Sequence, residues 1–216
     1  MSRLKLKALE QRLQALEAFE TPKVSLEQYA TSPHIAARLL HTAQACYGDV
    51  EGKVVADLGC GCGVLAAGAS LLGAGACVGF DVDRDALRVA RANVEELGNV
   101  DLVECDVRLL SAADDDVLNW RFDTVVMNPP FGTKRNRGLD MEFLRAGLRL
   151  ATCAVYSLHK TSTRAHVLRK AADWGAEARV LAELRFDLPA SYKFHKRQSV
   201  DVRVDFVRVW FPRKNK

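Results

Sequence analysis

The residues Asn128-Pro129-Pro130-Phe131 constrain this chain more than any others. They follow Phe122-Asp-Thr-Val-Val-Met127, an apolar, β-branched run that reads as a buried strand. Neither proline has a backbone N–H to donate, so a strand cannot continue through them. The chain must leave the sheet there, stiffly, at the strand's carboxyl end. At that exit stand the Asn128 amide oxygen, the free carbonyls of the prolines and the flat apolar ring of Phe131. Acceptors beside an aromatic face suit a planar ring bearing an amino group. The same residues would also make a rigid turn that packs a phenylalanine, and the rest of the chain must decide between the two.

The chain has 216 residues, 49% of them hydrophobic, which suits a single domain with an extension and an ample core. Its net charge of +4 permits a nucleic-acid partner without demanding one. The six cysteines form no paired CxxC motif and no disulfide framework. Cys60 and Cys62 sit among glycines, a poor zinc pattern, so no metal is expected and both read as small reduced residues of an intracellular protein. Met1-Ser-Arg-Leu-Lys-Leu-Lys7 is charged throughout, which predicts no signal peptide. No apolar run approaches the roughly 18 residues that a membrane span needs.

Leu6, Leu9, Leu13 and Leu16 recur at helical spacing and predict an amphipathic helix, ended by Thr21-Pro22 and packed on its own domain. Ser32 and Pro33 then cap and start a helix that runs from about His34 to Tyr47. Residues 1–50 thus form a helical extension on a core domain of residues 51–216. In that domain Val54 to Leu58, Ala76 to Asp81, Val100 to Val107, Phe122 to Met127, Ala154 to Leu158, Arg179 to Arg185 and Val200 to Phe206 read as strands. Helices follow the glycine loop, open at Asp85, and span Met141 to Leu150 and Thr163 to Trp174. Asp114-Asp115-Asp116 reads as a solvated loop. Alternating strands and helices predict an α/β fold with a doubly wound, mainly parallel sheet. The last connection is too short for a helix, so the last strand is expected to be antiparallel.

The first strand runs into Gly59-Cys60-Gly61-Cys62-Gly63 and a helix start, a ligand-site pattern at the sheet's carboxyl edge. The spacing lacks the third glycine that a dinucleotide fingerprint requires. Acids close the successive strands. Asp57 is placed for an ammonium group, Asp81 for both ribose hydroxyls and Asp106 for an adenine amino group. A nucleoside joined to an amino acid, without phosphates, matches this set, and that ligand is S-adenosylmethionine.

Asp57-Leu-Gly-Cys-Gly-Cys-Gly63, Asp81 and Asn128-Pro-Pro-Phe131 resemble the seven-strand, Rossmann-like methyltransferases that act on exocyclic or amide nitrogens. Glu27-Gln-Tyr-Ala-Thr31, Lys53 to Gly63, Met127 to Thr133, Ala154 to Lys160 and Asp187 to Lys196 extend the likeness, which is to the methyltransferase-like protein five family. The resemblance implies methylation of one adenosine of small-subunit (18S) ribosomal RNA at its 6-amino group. It implies that Gln28 and Thr31 fold over the cofactor, with Gly59, Cys62, Val64, Asp81 and Asp106 around it. Ala30-Thr31-Ser32 is a looser form of the family's turn. The expected chemistry follows. Asn128 and the Pro129 carbonyl take the adenine amino group, Pro130 stiffens the turn and Phe131 stacks on the base, with no general base before transfer.

Lys134, Arg135 and Arg137 follow this turn, and Tyr192, Lys193, Phe194, His195, Lys196 and Arg197 interleave aromatic and basic groups. Both stretches are expected to meet RNA. In the implied arrangement Val100 to Val107 lies at a sheet edge, apolar on both faces and without Lys or Pro. A second protein is expected to add a strand there, and the resemblance names the small zinc-binding activator subunit shared by several methyltransferases, in a heterodimer. An rRNA enzyme of this kind is expected in the nucleus, nucleolus and cytoplasm. A protein glutamine methyltransferase, or a non-catalytic RNA-binding scaffold, would use many of the same residues.

Overall fold

A computed structural model describes residues 4–112, 121–132, 136–189 and 199–212. Two helices, α1 (Leu6–Gln14) and α2 (Pro33–Tyr47), precede a regular alternation. It runs β1 (Val54–Leu58), α3 (Val64–Leu71), β2 (Ala76–Asp81), α4 (Arg84–Val94), β3 (Val100–Glu104), α5 (Val107–Ala112) and β4 (Phe122–Met127). After these come α6 (Leu139–Leu150), β5 (Ala151–Lys160), α7 (Arg164–Asp173), β6 (Glu177–Pro189) and β7 (Ser199–Trp210).

The seven strands form one sheet in the order β3-β2-β1-β4-β5-β7-β6. Neighbours from β3 to β5 are parallel, and β7 inserts antiparallel between β5 and β6. The central strands are buried along most of their length on both faces, in keeping with their mainly apolar sequences. One core lies between the sheet and α1, α2 and α3, around Leu13, Leu39, Leu40 and Leu65. The other lies under α5, α6 and α7, around Phe80, Met127, Leu144 and Val167. The sheet is therefore doubly wound, and its order reverses between β1 and β4. Leu58 pairs with Met127 and with Phe80, so the segments after β1, β2 and β4 emerge side by side. That crevice is where open α/β sheets hold their ligands.

Several boundaries differ from those expected. Helix α1 stops at Gln14, well short of Thr21-Pro22, because the following segment is drawn across the end of the sheet instead. Glu17 N–H donates to Asn93 Oδ1 at 2.8 Å, and Asn93 Nδ2 returns a bond to the Glu17 carbonyl at 2.9 Å. Asp83, not Asp85, caps α4 by accepting from Asp85 N–H. Strand β3 ends at Glu104 rather than Val107. The Asp106 side chain captures Arg108 N–H at 2.9 Å and turns the chain into α5. Ser32 does cap α2, accepting from Ile35 N–H, with Pro33 in its first turn. The Asp114 to Asp116 loop lies outside the described residues.

A polar cluster joins α2 to the middle of the sheet. Asp49 Oδ2 accepts from Tyr156 Oη at 2.6 Å and from Arg208 at 3.1 Å. The Asp49 carbonyl accepts from Thr124 Oγ1 at 2.6 Å. Arg208 lies 4.4 Å from the Tyr47 ring and 4.6 Å from the Trp210 ring. Burial, and Asp49 beside it, push the Tyr156 phenol up, so it stays a donor. Asp49→Ala leaves the buried Tyr156 hydroxyl without its acceptor and takes the carboxylate from the Arg208 guanidinium, which keeps its bond to Tyr156 Oη. It should cost about 3 kcal/mol, near the lower end for breaking a buried pair, and lower the melting temperature by roughly 6–12 °C. A shift of no more than about a degree in a thermal melt would show that the cluster contributes little.

Candidate active site

The glycine loop forms the floor of the crevice. Gly59 and Gly61 have φ of 70° and 53°, where side-chain residues are strained. A Cβ on Gly59 would lie 2.9 Å from the Phe143 ring, and one on Gly61 2.7 Å from the Phe19 ring. The loop is thus pressed between α6 and the N-terminal segment, and a larger residue at either position would push a phenylalanine ring aside as well as strain the backbone. Cys60 and Cys62 are buried free thiols, and burial pushes Cys62 up to about 12, so it stays neutral.

A cleft of about 230 Å³ opens above this floor. Asp81, Val82, Cys105, Asp106 and Arg108 line one end, and Asn128, Pro130, Asn136, Leu139 and Phe143 the other. Phe19 and Ser25 to Tyr29 roof it. A smaller cavity of about 40 Å³ adjoins it, lined by Thr31, Asp57, Cys62, Val64 and Asn128. Of the expected cofactor residues, Gly63 lines neither cavity. It starts α3 and packs on Ala90.

The acids are held in place by the backbone. Asp81 accepts from Gly61 N–H at 2.8 Å and from Asp83 N–H at 2.9 Å, one bond to each oxygen, so lone pairs remain on both. Burial raises its pKa. Asp57 is 1% exposed; its Oδ2 accepts from Ala66 N–H at 3.0 Å, and its Oδ1 is buried with no partner among the described residues. Burial pushes this carboxyl up to about 7, against the opposing Ala66 bond. Asp106 is bound at both oxygens by Arg108, whose hydrogen bonds hold it below its ordinary value.

The roof is fastened on both sides. Lys23 Nζ lies 2.5 Å from Asp83 and 2.7 Å from Asp85, and Gln28 Nε2 donates to Asp83 at 2.6 Å. Although burial opposes it, Lys23 and Gln28 hold Asp83 ionised, below its ordinary value. On the other side Asn136 Nδ2 donates to Glu27 Oε1 and to the Ser25 carbonyl, both at 3.0 Å. Glu27 is buried and is the one non-glycine residue with positive φ among the described residues. Phe19, Lys23, Asp83 and Asn136 had no distinguishing local signal in the sequence, and Glu27 stood out only as part of the likeness over Glu27 to Thr31.

The Asn-Pro-Pro-Phe turn is placed as expected in part. Asn128 Nδ2 donates to Thr31 Oγ1 at 3.0 Å and to the Tyr29 carbonyl at 3.4 Å. Its Oδ1 is buried with no partner among the described residues. Phe131 does not offer its ring to the cleft. It is 7% exposed and stands edge-on to Phe186, with ring centres 5.6 Å apart, so it anchors the turn in the core rather than stacking on a base. Arg137 is exposed, whereas Lys134, Arg135 and Tyr192 to Arg197 lie outside the described residues. Among the described residues no three His, Cys, Asp or Glu side chains converge as metal ligands would.

Residues 31–152 match the family model of the methyltransferase small domain. The chain is 58% identical over 95% of its length to the rRNA N(6)-adenosine-methyltransferase METTL5 of Danio rerio, covering 98% of that protein. It is 55% identical over 96% of its length to Mettl5 of Drosophila melanogaster, covering 97% of it. The crystal structure of PH1948 from Pyrococcus horikoshii superimposes with a TM-score of 0.83 at 36% identity, over 95% of this chain and 97% of that one.

The charge buried at Asp57 should be visible in stability. Its folded pKa lies above the unfolded carboxylate value, so the folded state holds the proton more tightly. The group's contribution to stability therefore falls as pH rises from the ordinary carboxylate range to about 7. Asp57→Asn can still accept from Ala66 N–H and buries no charge. Its gain in melting temperature over the parent should grow between about pH 4 and pH 7 and then level off. A gain independent of pH would mean that Asp57 titrates normally.

Proposed function

The chain belongs to the family of rRNA N(6)-adenosine-methyltransferases, and from that membership we propose that it transfers a methyl group from S-adenosylmethionine to the 6-amino group of one adenosine in small-subunit (18S) ribosomal RNA. The observation that carries this reading is a pair of buried oxygens without partners among the described residues, Asp57 Oδ1 and Asn128 Oδ1, on two residues that line one cavity. One is acidic and the other a neutral acceptor. They suit an ammonium group and an amino group held side by side.

The residues present fit the cofactor. S-adenosylmethionine brings a methyl group already activated by its sulfonium. Asp57 would hold the ammonium of the amino-acid part, and Asp81 has lone pairs left that would take two ribose hydroxyls. Asp106 lies on the cleft wall beyond, and would receive the adenine amino group by exchanging one of its bonds to Arg108. Arg108, a cation on that wall, is already spent on Asp106, which leaves little to attract a phosphate. Gly59 and Gly61 let the backbone come close beneath.

At the other end the Asn128 oxygen and the Pro129 carbonyl accept hydrogen bonds from the acceptor amino group. That draws its lone pair out of the ring and towards tetrahedral geometry. The task is mainly positioning, so no side-chain base is required before transfer. The target base must be unpaired or flipped to reach this depth. Arg137, exposed between the cleft residues Asn136 and Leu139, supports a phosphate contact at the cleft mouth. We extend the RNA surface to Lys134, Arg135 and the stretch from Tyr192 to Arg197.

To test the activity, the chain is incubated with labelled cofactor and total RNA, and the digested RNA is searched for 6-methyladenosine in the small-subunit fraction. Asn128→Ala should abolish transfer with cofactor binding nearly intact. Asp81→Ala should weaken cofactor binding by roughly 1.5–3 kcal/mol, the scale of hydrogen bonds to a charged group. Label appearing in protein rather than RNA would move the reading to a glutamine methyltransferase.

The same family membership leads us to propose a partner. Among the described residues strand β3 pairs with β2 alone and forms one edge of the sheet. Its Val100, Leu102 and Val103 are half-buried and carry no lysine or proline guard. Leu109 on the adjoining α5 is 65% exposed. A small zinc-binding activator subunit that adds a strand here would cover this edge. Co-expression should then give a soluble one-to-one complex with a higher melting temperature than the chain alone. A lone chain that is monomeric, stable and fully active on RNA would rule the partner out.

A further inference from the structure

The bonds around Asn128 carry the argument one step further, on the reading that this residue receives the acceptor amino group. A carboxamide has two ends of nearly equal shape and opposite hydrogen-bonding sense, so either could face the cleft. The Tyr29 carbonyl has no hydrogen to give, so the end of Asn128 that meets it must be the nitrogen. Thr31 Oγ1, at 3.0 Å, takes the other N–H. Both hydrogens of Nδ2 are then spent, and the oxygen is the end left over, buried and without a partner among the described residues.

We propose that the Tyr29 carbonyl and the Thr31 hydroxyl are positioning groups that lock the Asn128 amide with its oxygen towards the acceptor, so that the site admits a base with an amino group and rejects one presenting a carbonyl there. The reverse orientation would set two carbonyl oxygens against each other at Tyr29 and two donors against each other at the acceptor. The Tyr29 carbonyl fixes the sense, and the shorter bond to Thr31 fixes the angle. Thr31 is 8% exposed and lines the cavity that also holds Asp57. Its hydroxyl nevertheless faces Asn128, a role distinct from folding over the cofactor.

This lock depends on the N-terminal segment. Tyr29 and Thr31 directly follow the roof residues held by Asp83 and Asn136. Asn128 is therefore oriented only while that roof is closed, which ties acceptor selection to the same segment that covers the cofactor end.

Thr31→Val is nearly isosteric and removes the acceptor. On the 216-residue chain, single-turnover methylation of a small-subunit rRNA fragment should slow by roughly ten- to a hundredfold, the scale of one stranded buried hydrogen bond. The dissociation constant for S-adenosylhomocysteine should stay within about twofold, and Thr31→Ser should recover most of the rate by restoring the hydroxyl. Thr31→Ala serves as the second variant where valine crowds the segment, with melting temperature recorded for each. A Thr31→Val protein with weakened cofactor binding and an unchanged rate would assign Thr31 to the cofactor and overturn the proposal, as would an unchanged rate and affinity. An active Asn128→Ala protein would instead remove the role given to Asn128, and this inference with it.

Discussion

One side chain joins the two halves of this site. Asn128 reaches across 97 residues of sequence to Thr31, tying the end of β4 to the segment that leads into α2. A buried carboxamide must satisfy its two N–H groups, and this one does so on the N-terminal segment. The oxygen left over is then aimed by exclusion. The prolines that follow prevent β4 from continuing, and Phe131 pins the turn against Phe186 in the core. Asn128 is thus rigid from behind and oriented from above.

The same end of the sheet gathers negative charge. Asp57, Asp81, Asp83 and Asp106 all stand near the carboxyl ends of β1, β2 and β3. Two of them are compensated within the chain, Asp83 by Lys23 and Asp106 by Arg108. Among the described residues Asp57 and Asp81 have only backbone N–H partners, and burial raises both. Carboxyls in that condition cost stability while no cation or hydroxyl meets them. The fold tolerates them because the strands beneath are buried on both faces and stapled to α2 through Asp49, Tyr156 and Arg208. Stability supplied away from the crevice offsets polar groups left unsatisfied within it.

The N-terminal extension is more than a covering layer. Leu9 and Leu13 of α1 belong to the same core as α2 and α3. The stretch after α1 supplies Phe19 to the glycine loop, Lys23 and Gln28 to Asp83, and Glu27 to Asn136. Glu27 adopts a left-handed backbone that costs a side-chain residue about 1 kcal/mol or more. Its hydrogen bond to Asn136, and the bonds of its neighbours, hold it there.

Much of this protein could be read directly from the chain. The bounds of β1, β2 and β4, the glycine loop between β1 and α3, and the Ser32-Pro33 start of α2 follow from local rules. Those rules are apolar runs, missing N–H groups and a capping hydroxyl, and each acts over a few residues. The acids at the strand ends were visible for the same reason, since alternation fixes where a strand stops. The end of β3, the end of α1, the burial of Phe131 and the closed roof over the crevice were decided by tertiary structure. In each case a residue had two acceptable local states, and a partner far along the chain chose between them. Asp106 turned to Arg108 rather than extending β3, and Phe131 found Phe186 rather than open solvent. Asn128 could have offered either end of its amide, and only the position of the Tyr29 carbonyl, 99 residues away in sequence, selected the oxygen. Hydrogen-bond sense at a buried site is set by what packs against it, and no local pattern encodes that.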